Sequence, residues 1–106
     1  MNEIDLKGRA AVVTGAARGL GLAIVERLLE SGAAVSMWDR DAQALETESA
    51  RLRARGTVHT AAVDVTSESE VDAGVKATRT ALGRIDILVN NAGIAGPVRR
   101  SWEYSP

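Results

Sequence analysis

Short apolar runs alternate along this chain with longer amphipathic stretches. Residues 10–14 (AAVVT), 34–39 (AVSMWD), 58–65 (VHTAAVDV) and 85–90 (IDILVN) are of strand length and largely apolar. Runs without strict alternation fit parallel strands covered on both faces. Between them lie segments of helical length. Residues 19–31 put Leu20, Ala23, Ile24 and Leu28 on one stripe, widened by Leu22, Val25 and Leu29, with Gly32 as a stop. Residues 41–55 carry Leu45 and Leu52 a heptad apart on a polar background, and Gly56 ends them. Residues 67–82 align Val71, Val75, Thr78 and Leu82 on one face and close at Gly83; Ser67 and Glu70 have capping-box spacing. The order β-α-β-α-β-α-β with right-handed crossovers predicts an α/β fold. The sheet is parallel and doubly wound, with strand order 3-2-1-4 and helices on both faces. After Gly96-Pro97 the periodicity is lost, and residues 94–106 read as a loop tail.

Composition narrows this picture in a few places. A chain of 106 residues suits one domain, 1–106. Only 3% of residues are aromatic, so the core must come from Ala, Val, Leu and Ile. The net charge of −1 provides no basic field, so neither nucleic acid nor a membrane surface is an expected partner. There is no cysteine and one histidine, His59, which excludes thiolate chemistry and a His-rich metal site within these residues. No apolar run approaches the ~18 residues of a membrane span, and residues 1–7 lack a signal-peptide pattern. A cytoplasmic protein is the expectation.

The chemistry concentrates where the first strand meets the first helix, in Thr14-Gly15-Ala16-Ala17-Arg18-Gly19-Leu20-Gly21. Gly15 allows a tight turn off the strand. Gly19 lets backbone approach phosphate oxygens, and Gly21 lets the helix pack closely on the strand. The N–H groups and positive dipole end of that helix then suit the pyrophosphate of a dinucleotide. The second strand ends in Asp39, 18 residues after Gly21, where a carboxylate can accept hydrogen bonds from ribose hydroxyls. The bland alternative is a turn whose glycines serve packing alone, with Asp39 as a turn former. The two features together favour a Rossmann-type cofactor site.

With Asp64-Val65 after the third strand and Asn90-Asn91-Ala92-Gly93 after the fourth, the chain resembles the short-chain dehydrogenases/reductases. The branch is the one with Thr-Gly-x-x-x-Gly-x-Gly near its N-terminus. Residues 93–97 (GIAGP) and Trp102-Glu103-Tyr104 are similar to 3-oxoacyl-carrier-protein reductase-like members and to sugar or alcohol dehydrogenases. The resemblance implies an NAD(P)-dependent oxidoreductase passing hydride between the nicotinamide and a secondary alcohol or ketone. It implies cofactor contacts for Gly15, Ala17, Arg18, Gly19, Leu20, Gly21, Asp39, Arg40, Asp64, Val65, Asn91, Ala92 and Gly93, with Thr14 and Asn90 as structural neighbours. Asp64 could instead cap the turn before Ser67, and the asparagines could satisfy backbone groups.

Asp39 favours NAD, because a carboxylate repels a 2′-phosphate and binds a 2′-hydroxyl. Arg18 and Arg40 stand where NADP-using members carry a base, so NADP remains the alternative. The family's serine and Tyr-x-x-x-Lys lie further along than this chain extends. Tyr104 is the only tyrosine, and no catalytic residue and no metal ligand is assigned. The chain therefore reads as the cofactor-binding, N-terminal portion of a longer reductase. The alternatives are a non-catalytic dinucleotide-binding module and an inactive fragment. A fourth strand without a parallel neighbour would expose an apolar edge, so self-association through that edge is also expected.

Overall fold

The computed structural model describes residues 5–92. Four strands form one parallel sheet in the order β3-β2-β1-β4, as the crossover rule predicts. The strands are β1 (Ala10–Thr14), β2 (Ala34–Asp39), β3 (Val58–Ala62) and β4 (Ile87–Val89). The helices are α1 (Gly19–Glu30), α2 (Ala42–Leu52) and α3 (Glu68–Leu82). A 3₁₀ turn, Arg53–Arg55, extends α2. Gly93 and residues 94–106, including the expected loop tail, lie outside the described residues.

The alternation of side chains along the strands sorts the helices onto two faces. Val13, Val35 and Met37 meet Val25 and Leu29 of α1 and Leu45 and Leu52 of α2. Their strand neighbours Val12 and Trp38 meet Val63 and Val71 on the α3 side. Every residue of β1 is buried, which is why its five positions carry no charge. The β4 edge residues Ile87, Leu88 and Val89 are half-buried, and β4 pairs only with β1 among the described residues.

Several expectations need correction. Helix α1 is rotated from the predicted stripe: Ala23 is exposed, Ile24 and Leu28 are half-buried against the core, and the widening residues Val25 and Leu29 are the enclosed ones. It buries Gly21, Val25 and Leu29, and leaves Leu20 68% exposed. The reason is steric: the helix rotates so that Gly21, the residue without a side chain, faces the β1 turn. Strands β3 and β4 are shorter than the apolar runs at 58–65 and 85–90: Asp64 accepts from the Thr66 N–H at the turn after β3, and Asp86 Oδ2 accepts from the Ala10 N–H just before β4 begins. Helix α2 begins after Asp41, whose Oδ1 accepts from the Ala44 N–H at 3.0 Å. The capping box on α3 is half formed. Ser67 Oγ accepts from the Glu70 N–H at 3.3 Å, but the Glu70 carboxylate takes the Asp64 N–H at 2.8 Å instead. Gly83 closes α3 with φ +85°, as a left-handed cap.

Beneath α3 lies a polar cluster that periodicity alone does not reveal. The Trp38 indole is 1% exposed, and its N–H donates to Ser36 Oγ at 3.0 Å and to Thr78 Oγ1 at 3.3 Å. Ser36 Oγ also lies 2.8 Å from His59 Nδ1. Gly74 of α3 makes room for the ring: a Cβ there would sit 3.0 Å from Trp38 Cζ2 and 2.9 Å from Val63 Cγ2. Burial, then the nearby Arg53 charge, hold the His59 pKa below its ordinary value. The folded chain thus binds this proton more weakly than the unfolded chain. Its contribution is fully present above the unfolded value near 6.5 and is lost as pH falls through the lower folded value. The denaturant midpoint should therefore fall from pH 7.5 to pH 5.5, and His59→Gln should flatten that slope. An equal slope in His59→Gln would assign the pH response elsewhere.

Candidate dinucleotide site

The carboxyl ends of all four strands deliver polar or glycine-rich turns to one edge of the sheet. The crossover direction reverses at β1, which lies between β2 and β4. Such a switch point opens a crevice at the strand ends. The β1 turn reaches it first. Gly15 has φ +61°, and a Cβ there would lie 3.1 Å from Ala92 Cα and 3.2 Å from the Asn91 carbonyl oxygen. Gly21 is tighter still: a Cβ would lie 2.6 Å from Asn91 Nδ2 and 2.8 Å from the Gly15 carbonyl carbon. Gly19 differs from both. It has φ +59°, and its Cβ position faces open space, with no atom within 4 Å. Gly21 is thus demanded by packing, Gly15 by both packing and conformation, and Gly19 by conformation at an open surface.

Thr14 ties this turn to the end of β4. Its side chain is fully buried, and Oγ1 accepts the N–H of Asn91 at 2.8 Å and of Ala92 at 3.1 Å. The hydroxyl donates to Asn90 Oδ1 at 3.0 Å. Asn91 Nδ2 donates to the Gly15 carbonyl at 3.3 Å. The asparagines therefore hold β1 and β4 together, which is the structural alternative raised from the sequence.

Helix α1 begins with its end uncapped. Its N-cap, Arg18, makes no side-chain cap bond, and no acid lies in the first turn. Asp41 and Ser67 cap α2 and α3. Among the described residues, backbone N–H groups at the first turn of α1 thus lack the N-cap side-chain oxygen that serves the other two helices, and an anion suits that end. Leu20 adds an exposed apolar surface beside it.

Asp39 closes the crevice from β2. Its Oδ2 accepts the Ala17 N–H at 3.1 Å and its Oδ1 the Asp41 N–H at 3.0 Å. The Ala17 amide is therefore committed within the chain, and Ala17 itself is buried. Arg18 is exposed and pairs with Asp41 Oδ2 at 2.6 Å. Hydrogen bonds from Ala44 and Arg18 hold the Asp41 carboxyl below its usual pKa. Arg40 is exposed beside Asp39. Asp64 sits past β3, where Oδ1 accepts from the Thr66 hydroxyl at 2.6 Å and N–H at 2.9 Å. Those bonds, ahead of the Arg40 charge, lower its pKa. Val65 follows it, half-buried. The structure thus gathers Gly15, Arg18, Gly19, Leu20, Gly21, Asp39, Asn91 and Ala92 around the β1 turn, with Asp64 and Val65 on the β3 side. Asp41 was missed by the sequence reading, although its position before an amphipathic segment is an N-cap signal.

A family model described as short chain dehydrogenase matches residues 9–104. The chain belongs to this family. A curated relative, 2-dehydro-3-deoxy-L-rhamnonate dehydrogenase (NAD(+)) of Sphingomonas, is 40% identical, with 92% of this chain and 38% of the relative aligned. Among solved structures, a short chain dehydrogenase from Mycobacterium smegmatis aligns with TM-score 0.81 and 39% identity, over 91% of this chain and 43% of that one. L-sorbose reductase from Gluconobacter frateurii, complexed with NADPH and L-sorbose, aligns with TM-score 0.82 and 35% identity, over 98% and 40%. The chain therefore spans about two-fifths of the length of these proteins. Among the described residues, no helix is long and apolar enough to cross a membrane.

Proposed function

We propose that this chain is the cofactor-binding part of an NAD(P)-dependent oxidoreductase acting between a secondary alcohol and a ketone. The observation that carries the reading is the uncapped start of α1, opposite open space at Gly19 and bracketed by Asp39. The loop 14–21 and the first turn of α1 would hold the pyrophosphate, Asp39 the adenosine ribose, Asp64 and Val65 the adenine. Asn91, Ala92 and Gly93 would border the second ribose. The nicotinamide supplies or accepts the hydride. No residue of this chain is assigned the proton transfer.

Asp39 supports NAD over NADP, since its carboxylate accepts from a 2′-hydroxyl and repels a 2′-phosphate. Relatives are divided on this point, one named for NAD(+) and one complexed with NADPH. Fluorescence titration tests the reading. NADH should bind more tightly than NADPH, and Asp39→Asn, which keeps an oxygen acceptor, should weaken NADH about tenfold. Tighter binding of NADPH than of NADH by the unaltered chain would reverse the preference. Binding of neither would remove the cofactor reading. Dinucleotide binding without turnover remains a second reading, favoured by the position of every assigned contact on the cofactor side. The half-buried β4 edge supports self-association or cover by a further strand.

A further inference from the structure

Two carboxylates and one guanidinium meet where the glycine turn faces the end of β2. Asp41 divides its oxygens between two tasks. Oδ1 caps α2 through the Ala44 N–H at 3.0 Å, and Oδ2 holds the Arg18 guanidinium at 2.6 Å. Its own N–H donates to Asp39 Oδ1 at 3.0 Å, so the two acids are locked side by side. Capping alone does not require this charge, since Asn, Ser and Thr cap as well. Folding gains little from the ion pair either: the side chains are 68% and 44% exposed, and exposed pairs contribute weakly to stability. The short contact nevertheless fixes where the only cation of the 14–21 loop points.

We infer that Asp41 is a specificity-determining residue for the nucleotide, holding the Arg18 guanidinium away from a 2′-phosphate and adding a second negative charge beside Asp39. This rests on the cofactor reading given above. A 2′-phosphorylated dinucleotide must detach Arg18 from Asp41 and meet both carboxylates. A nucleotide with a 2′-hydroxyl meets neither penalty. Selectivity then comes partly from a repulsive element rather than from an added contact.

The test uses Asp41→Asn, which retains a capping oxygen, together with Arg18→Gln and the double variant, with NADH and NADPH titrated against each. Asp41→Asn should tighten NADPH about tenfold and leave NADH within about twofold. Arg18→Gln alone should change NADPH by less than about twofold, because that guanidinium is already engaged. The double variant should lose most of the NADPH gain, keeping only the part due to the removed Asp41 charge. An unchanged NADPH-to-NADH ratio in Asp41→Asn overturns the inference while leaving the cofactor reading intact. A gain that persists undiminished without Arg18 overturns it too, because holding that guanidinium would then contribute nothing to the selectivity. Binding of neither nucleotide by the unaltered chain removes both readings together.

Discussion

Gly21→Ala should destabilise the chain by about 3 kcal/mol and raise the dinucleotide Kd at least about tenfold. The added methyl would lie 2.6 Å from Asn91 Nδ2 and 2.8 Å from the Gly15 carbonyl carbon. Backbone carbonyls cannot swing aside as flexible side-chain ends do, so α1 must move off the β1 turn. Overpacking of this kind typically costs about 1–3 kcal/mol, and more where backbone is the obstacle. The move also displaces the uncapped end of α1 from Asp39 and Asn91. Gly19→Ala is the discriminating partner. Its Cβ meets nothing within 4 Å, but φ is +59°, so the stability cost should be only about 1 kcal/mol. Its effect on binding should be as large as that of Gly21→Ala, because the methyl projects into the open space beside the helix end. Denaturant unfolding and nucleotide titration on both variants separate the two roles. Equal stability losses would refute the division of packing from ligand approach.

Thr14→Val should cost about 2–3 kcal/mol although it preserves shape and volume. Thr14 is fully buried, and its Oγ1 accepts two backbone N–H groups, from Asn91 and Ala92. Valine leaves both donors without that oxygen, and the Asn90 side chain loses its donor. Unsatisfied buried donors cost about 1–3 kcal/mol each, less where water reaches them, as it does at exposed Ala92. Hydrogen exchange at Asn91 and Ala92 gives a local readout. Both amides should exchange much faster in the variant, while those of β2 change little. Retained protection at Asn91 would mean that the amide finds its partner elsewhere.

Much of this architecture is legible in the chain. Strands β1 and β2 match the apolar runs end to end, because buried parallel strands tolerate few polar residues and Thr14 and Asp39 mark their exits. Helix stops at Gly32 and Gly83 are equally plain, since φ values of +97° and +85° favour glycine. The glycine turn is recognisable for the same reason. Local pattern fails where the decisive partner is remote in sequence. Gly74 reads as a weak point in a helix until Trp38, from another element, fills the space above it. The facing side of α1 is only half legible: Gly21 reads as the packing glycine, but Leu20 looks like core and is exposed. The pairing of Arg18 with Asp41 is invisible because two loops meet only after the sheet has formed.

The sequence by itself determined the order of elements, the parallel sheet with β1 between β2 and β4, and the glycine turn with an acid at the end of β2. These follow from apolar runs, capping residues and backbone freedom, all of which act over a few residues. Only the tertiary structure decided that Gly15 is hemmed in by Asn91 and Ala92 as well as by its turn, that Thr14 rather than the asparagines alone ties β1 to β4, and that Asp41 holds Arg18. Each of those depends on distances between elements brought together by crossovers, where contacts a few ångströms long join residues 23 to 78 positions apart.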